Sequence, residues 1–273
     1  MLKKGMDVLL VLIALLLPAG LADAAPVTAL IPSQPGLDQD SRPQNEVDVL
    51  ICLLNPFTNT GIDMDMPQFF AVLYYPENFD EATMQPEMRP LLGDVEEIRY
   101  LDKKAWGANV AIDKPGLYQF VLEARPWFDA GRDIYLHQQV KVAMPAYGGH
   151  KGWGTSFGQS FEILPLTRPF GLTAPALFSA QILIDGKELA NLPVSMGRIH
   201  QTPRPVLSPF HEALAARTDS RGQFSFVLNE PGWWYCEASI PGAPLKGPDG
   251  KMRDLERSTI FWLFVDAPVK AKK

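Results

Sequence analysis

The sequence predicts an all-β protein built from two β-sandwich domains, immunoglobulin-like or transthyretin-like, joined by a short proline-containing connector. Short apolar or alternating segments recur along the chain and are separated by proline and glycine turns, and no long amphipathic helical pattern interrupts them. The 25 prolines and 21 glycines among 273 residues fit a turn-rich β protein. A chain of this length exceeds one ordinary sandwich and suits two domains.

Residues 1–24 are predicted to be a signal peptide. Two lysines precede the apolar run Val8–Leu17, and Ala22 and Ala24 supply the small residues that a signal peptidase requires. Cleavage after Ala24 would export the mature chain to the periplasm. The alternative is an uncleaved anchor, but the apolar core is short for a membrane span. We therefore expect a mature protein that does not itself cross the membrane.

The N-terminal β-sandwich domain is predicted over residues 25–160. A turn at Asp113–Gly116 is fixed by its proline and glycine, as in a hairpin connection. The predicted strands on either side of it are Glu46–Leu54, Phe69–Tyr75, Ile98–Leu101, Ala108–Ile112, Tyr118–Ala124 and Ile134–Ala143.

Residues 161–172 are predicted to be the connector, because two prolines bar a helix and favour extended backbone before them. A C-terminal transthyretin-like domain is expected over 173–266, followed by a solvated basic tail, 267–273. One helical turn is expected at His211–Arg217. The predicted strands are Phe178–Ile184, Leu189–Met196, Phe224–Leu228, Trp233–Ile240 and Thr259–Val265.

The two cysteines, Cys52 and Cys236, leave two alternatives open. An even count in an exported protein is compatible with a disulfide. Each cysteine, however, lies in an apolar or aromatic segment of a different predicted domain, where a buried thiol behaves as a small hydrophobic residue. Two separate buried thiols are the favoured interpretation.

Composition and motifs argue against two classes of function. The formal net charge is −6 and no basic block occurs before the C-terminal tail, which disfavours a nucleic-acid-binding protein. The sequence also lacks a phosphate-binding glycine loop and a His-Glu-x-x-His motif. We therefore expect that the protein is not an enzyme.

His137 is the histidine that best fits a metal ligand. The four histidines are scattered without short ligand spacing. Strand alternation places His137 on one face with Tyr135 and Gln139, and imidazole is a preferred donor for nickel and cobalt. An ordinary half-buried strand histidine is the alternative interpretation.

The segment Asp63–Met66 alternates carboxylates with thioethers. In a strand, Asp63 and Asp65 would face one side while Met64 and Met66 face the other. Carboxylates suit harder ions and thioethers suit softer ones. Methionine as core filler and aspartate on an exposed loop are the alternatives.

Several short elements, among them Gly152–Trp153, Glu162–Leu172 and Gly232–Trp234, together resemble the domain-of-unknown-function family found as periplasmic accessory proteins, the K component, of energy-coupled nickel and cobalt uptake systems. The resemblance covers most of the mature chain. Two positions depart from the family pattern: residues 25–29 lack its N-terminal histidine, and Asn55 replaces the histidine of its His-Pro-Phe element. The matching elements are Leu30–Ser33, Pro56–Phe57, Met64–Pro67, Gly152–Trp153, Glu162–Leu172, Asp185–Lys187, Thr218–Asp219, Gly222–Phe224 and Gly232–Trp234.

The resemblance implies a periplasmic helper that binds Ni²⁺ or Co²⁺ and delivers it to a membrane permease. Pro26 has no amide hydrogen, so an N-terminal nickel site of the usual kind cannot form here. The predicted ligands are therefore His137, Asp63 and Asp65, with Met64 and Met66 second. The competing hypothesis is a non-metal, immunoglobulin-like binding or structural module of the cell envelope.

Overall fold

A computed structural model describes residues 26–41, 45–202 and 208–268. The predicted signal peptide and the lysines of the basic tail lie outside these residues. Within the described ranges, no helical segment has the length and apolar character needed to cross a membrane.

The described chain is almost entirely β-structure. Three short 3-10 turns, at Gln39–Ser41, Leu92–Asp94 and Pro209–His211, interrupt it. The strands are β1 Val27–Pro32, β2 Glu46–Asn55, β3 Thr60–Ile62, β4 Phe69–Pro76, β5 Glu87–Pro90, β6 Glu96–Tyr100, β7 Lys103–Ala111, β8 Gly116–Glu123, β9 Trp127–Asp129, β10 Ile134–Ala146, β11 Phe161–Pro165, β12 Leu172–Thr173, β13 Ala176–Ile184, β14 Lys187–Glu188, β15 Pro193–Arg198, β16 Leu214–Arg217, β17 Gln223–Leu228, β18 Gly232–Lys246 and β19 Met252–Asp266.

A ten-stranded central sheet joins the two halves of the chain. Its main path is β16-β15-β18-β19-β10-β8-β4-β5, with β9 and β12 attached to β10 and β19. Strands β10 and β19 pair in parallel from Tyr135 opposite Leu255 to Val142 opposite Trp262. This pairing makes one continuous sheet from strands of both predicted domains.

Two smaller sheets cover opposite faces of the central sheet. One contains β1, β2, β3, β6 and β7, and the other contains β11, β13, β14 and β17. Because side chains alternate along a strand, Val72 and Phe120 join the first core, whereas Leu73 and Val121 join the second. The predicted all-β sandwich architecture is confirmed, with the central sheet shared by two sandwich cores.

The predicted connector differs from the observed structure at its start. Residues 161–165 form β11, which pairs with β13 from Phe161 opposite Ile184 to Pro165 opposite Ala180. Phe161 and Ile163 are buried in the second core. Prolines disfavour a helix, but they do not distinguish a free connector from a strand. The alternation of apolar residues in this segment favours the strand.

The helical turn predicted at His211–Arg217 is wrong for most of its length. The 3-10 turn Pro209–His211 ends where the prediction begins, and Leu214–Arg217 is the edge strand β16, paired with β15. Tertiary pairing overrides the helix propensity of its leucine and alanines.

Both cysteines are free and buried. Cys52 belongs to the first core and Cys236 to the second. Burial raises the pKa of Cys52 to about 12 and that of Cys236 well above its ordinary value. The structure therefore agrees with two separate buried thiols rather than a disulfide.

Candidate functional site

Three polar side chains from adjacent strands meet on the face of the central sheet that carries the second core. His137 lies in β10, Glu123 ends β8, and Gln68 immediately precedes β4. Backbone hydrogen bonds hold the strand ends in register: Gln68 N–H donates to Glu123 O, and Ala124 N–H donates to Gln138 O. The three side chains are called the open trio below.

The terminal atoms of the open trio form a compact triangle. Glu123 Oε1 lies 2.8 Å from His137 Nε2 and accepts a hydrogen bond of 2.8 Å from Gln68 Nε2. The third side, from Gln68 Nε2 to His137 Nε2, is 3.1 Å. The side chains of His137 and Glu123 are 16% and 28% exposed, so solvent reaches the triangle.

The neighbours of Glu123 lower the pKa of its carboxyl group. The hydrogen bond from His137 is the largest influence that lowers the pKa of this carboxyl, and it outweighs partial burial. The charge of His137, the hydrogen bond from Gln68 and the charge of Arg257 lower it further. Glu123 is therefore a carboxylate over the whole neutral range.

This triangle has the dimensions of one face of a metal coordination octahedron. Nitrogen and oxygen ligands lie about 2.0–2.2 Å from a first-row ion such as zinc, which places two ligands at right angles about 2.8–3.1 Å apart. All three separations fall in that range, which hydrogen bonds of ordinary length also share. A flip of the Gln68 amide, which exchanges its nitrogen and oxygen, would present one nitrogen and two oxygens to an ion.

The two predicted aspartate ligands lie elsewhere. Asp63 Oδ1 accepts a hydrogen bond from Lys104 N–H at 2.8 Å, and Asp65 forms an exposed ion pair of 3.1 Å with Lys104 Nζ. Asp65 lines a small cavity with Leu136 and Gln138. Since alternation turns His137 away from these neighbours, His137 and Asp65 face opposite sides of the sheet.

The two methionines do not join the open trio either. Met64 is only 4% exposed and packs in the first core, and its carbonyl accepts a hydrogen bond from Trp106 Nε1. Met66 is 36% exposed. Among residues 26–41, 45–202 and 208–268, no group of three histidine, cysteine, aspartate or glutamate side chains is arranged to hold a metal. The five predicted ligands thus do not form one site.

A second polar group lies on the same face of β10 but is sealed from solvent. Lys141 Nζ contacts Glu162 Oε1 at 2.6 Å, and the two side chains are 4% and 1% exposed. Glu162 also accepts hydrogen bonds from Ser156 Oγ and from Phe157 N–H. Burial opposes ionisation, but Lys141 and these donors keep the pKa of Glu162 below its ordinary value. Lys141 and Glu162 are called the sealed pair below.

Sequence reasoning identified His137 but missed Glu123 and Gln68. Glu123 was counted within the strand Tyr118–Ala124, and Gln68 directly precedes the strand Phe69–Tyr75. A polar residue at a strand end is a signal from which each of the two could have been identified as a candidate site residue. The pairing of Phe69 with Glu123, which decides that they meet, could not be predicted without the strand register.

Curated proteins and solved structures show little similarity to this chain. None of the curated proteins matches it. Among solved structures, the D0-D1 domain of intimin is 10% identical, with a TM-score of 0.24, over 87% of this chain and 99% of that one. Two tandem V-type regions of VCBP3, a v-region-containing chitin binding protein, are 11% identical, with a TM-score of 0.22, over 86% and 99%.

A family model provides the assignment. It matches residues 25–242, which is most of the chain and includes the open trio and the sealed pair. The chain therefore belongs to the family described as domain of unknown function DUF4198.

Proposed function

We propose that this protein is an exported accessory of nickel or cobalt uptake, which binds a divalent ion at the open trio and passes it to a membrane permease. The observation that carries the proposal is the triangle formed by His137, Glu123 and Gln68, with sides of 2.8, 2.8 and 3.1 Å. The predicted signal peptide supports action in the periplasm.

The donor set suits these ions. Imidazole nitrogen together with carboxylate and amide oxygen favours first-row ions such as Ni²⁺ and Co²⁺. Neutral His137 would bind through Nε2 and Glu123 through its carboxylate, and Gln68 would complete the face. The remaining positions would be open to water or to ligands of a permease. Such an incomplete and solvent-accessible site is suited to transfer, because a receiving protein can add its own ligands before the ion leaves.

Calorimetric titration of the metal-free mature chain, residues 25–273, with Ni²⁺ and Co²⁺ at neutral pH tests the metal-binding step. We expect saturable micromolar binding of one ion, lost in His137→Ala and strongly weakened in Glu123→Gln. His150→Ala is the matched control, because His150 is an exposed loop histidine whose Nδ1 lies 3.0 Å from Gly148 O.

Retention of binding in His137→Ala, or the absence of binding in the wild type, would overturn the proposed site. The transport step requires a second readout, namely nickel uptake by cells that carry the wild-type gene or the His137→Ala variant. Equal uptake by the two strains would contradict a role for the open trio in delivery.

A second candidate function, a non-metal binding module of the envelope, is favoured by one cleft. This cleft of about 410 Å³ is lined by aromatic and proline side chains, among them Phe170, Trp233 and Phe264. The rings of Trp233 and Phe264 meet edge to face at 5.2 Å. Aromatic clefts of this kind are typical of ligand-binding sites. This function would be favoured if the mature chain binds neither ion and its tryptophan fluorescence changes when an envelope ligand is added.

A further inference from the structure

We propose that the cleft lined by Phe170, Trp233 and Phe264 binds a small organic cation of the alkylammonium class. This cleft, called the aromatic cleft below, is separate from the open trio. Its ligand class does not depend on metal binding, and it rests on the second candidate function, to which it gives a ligand. Three features support the proposal: the strands that form the cleft, the arrangement of its rings and the charge of its rim.

The aromatic cleft lies where two parallel strands of the central sheet separate. Strands β10 and β19 pair as far as Val142 opposite Trp262. Beyond this point, Leu37 N–H donates a hydrogen bond of 2.9 Å to Pro145 O at the end of β10, whereas β19 pairs with β12. Residues from the carboxyl ends of both strands line the cleft. Because each wall is bonded to its own neighbour, the cleft is formed before a ligand arrives, as in most small-molecule sites.

Two rings form adjoining walls of the aromatic cleft. Trp233 and Phe264 are opposite each other in the pairing of β18 with β19, and their planes meet at 62°. Ring faces carry partial negative charge, so a cation placed against them is attracted by both rings. The third ring, Phe170, already makes such a contact, since the Arg168 guanidinium lies 5.6 Å from its centroid.

The rim of the aromatic cleft is acidic. Asp38 and Asp266 lie on its opposite walls, and both residues are exposed. The Oδ1 atom of Asp38 accepts a hydrogen bond of 3.1 Å from Asp40 N–H, which orients this carboxylate. Among the described residues that line the cleft there is no lysine, arginine or histidine. The rim therefore attracts cations and repels anions.

The size of the aromatic cleft favours a small molecule. Its volume of about 410 Å³ lies within the range of roughly 300–1,000 Å³ that is typical of small-molecule sites. An alkylammonium group combines the positive charge that the rim favours with methyl and methylene groups that contact the rings. A quaternary ammonium group is the form that aromatic cages recognise best.

Calorimetric titration of the mature chain with choline and with its neutral carbon analogue tests this site. The analogue carries a tert-butyl group in place of the trimethylammonium group, so the two molecules share a shape but differ in charge. We expect choline to bind about tenfold more tightly than the analogue, and about tenfold more weakly to Trp233→Leu. Asp266→Asn should weaken choline about threefold, and less at high salt.

The controls are Trp153→Leu and Asp94→Asn. Trp153 lines a different cleft, and Asp94 is an exposed acid that does not line the aromatic cleft. Both variants should bind choline as the wild type does, and so should His137→Ala. Circular dichroism checks the fold of each variant, and Phe264→Leu supplies a second ring variant should Trp233→Leu fail to fold.

Three results would overturn the proposal. They are no binding of choline, equal binding of choline and its analogue, and full binding by both the ring variant and Asp266→Asn. Tighter binding of N-acetyl-lysine amide than of choline would also overturn it, since that result would assign the cleft to a lysine side chain of a protein partner. Binding of a different envelope ligand without choline would leave the second candidate function standing and refute only its ligand class. The titrations with Ni²⁺ are independent of all these outcomes.

Discussion

The open trio and the sealed pair lie on the same face of the central sheet but differ in exposure. His137 and Lys141 are four positions apart on β10, and each contacts a glutamate, at 2.8 Å and 2.6 Å. Glu123 is 28% exposed, whereas Glu162 is 1% exposed beneath the segment that contains Ser156 and Phe157. Solvent reaches the first group, while the second is shielded from it.

Burial, more than residue type, distinguishes these two groups, since each pairs a basic side chain with a glutamate. A buried charge must keep its partners, because its desolvation is offset by the opposite charge and by hydrogen bonds. A solvent-accessible group can lose its partner to water at little cost. We therefore expect changes to the sealed pair to alter stability, and changes to the open trio to alter binding.

The largest expected effect on stability comes from breaking the sealed pair. Lys141→Met leaves the Glu162 carboxylate buried without its cation and should lower the free energy of unfolding by about 3–5 kcal/mol. Urea denaturation at pH 7 measures this change. The matched control is Lys104→Met, which breaks the exposed pair with Asp65 and should cost about 0–1 kcal/mol. Equal losses in the two variants would contradict the contrast between buried and exposed pairs.

The next largest effect is expected at Gly152, in the loop above the second core. Its φ of +83° is rare for other residues, and an added Cβ would lie 2.2 Å from Tyr75 Cδ1. Gly152→Ala combines backbone strain with overpacking and should destabilise the protein by about 2–4 kcal/mol. Gly148→Ala is the control, because its φ is also positive but it has open space around it. A similar loss at Gly148 would assign the effect to strain alone.

Ion binding should stabilise the protein only through the open trio. A ligand present at one hundred times its dissociation constant adds about 2.7 kcal/mol to the free energy of unfolding. We expect Ni²⁺ at that excess to raise the urea midpoint of the wild type and of Lys104→Met, and to leave His137→Ala unchanged. Stabilisation of His137→Ala by the same amount would mean that the ion binds elsewhere.

Acid should weaken the sealed pair in a predictable direction. The pKa of Glu162 is lowered in the folded protein, so its contribution to stability is complete above the ordinary carboxyl pKa. That contribution is lost as the pH falls through the lowered value. The stability of the wild type should therefore fall more steeply in acid than that of Glu162→Gln, measured by urea denaturation between pH 2 and pH 6. Parallel curves would show that Glu162 does not titrate with unfolding.

The smallest effect on stability is expected at His137. Its side chain is partly exposed and its partner Glu123 can be hydrated, so His137→Ala without metal should cost less than about 1 kcal/mol. Thermal unfolding of the metal-free protein measures this. A loss as large as that of Lys141→Met would give His137 a structural role and would break the comparison.

The sequence predicted the sandwich class and most strands, because alternation and turn residues are local signals. The paired tryptophans illustrate this: neighbouring residues of a strand face opposite sides, and Trp234 packs in the second core while Trp233 packs against the first. The shared central sheet was not predictable, since the parallel pairing of β10 with β19 joins residues more than one hundred positions apart. For the same reason, His137 could be found from its strand, but its contact with Glu123 and Gln68 could not be predicted.

The most direct test of the central claim is anomalous diffraction at the nickel edge from crystals of the mature protein soaked with Ni²⁺. The account predicts one principal peak within about 2.0–2.2 Å of His137 Nε2 and of oxygens from Glu123 and Gln68. A principal peak at another site, or no peak beside a well-ordered His137–Glu123 hydrogen bond, would contradict it.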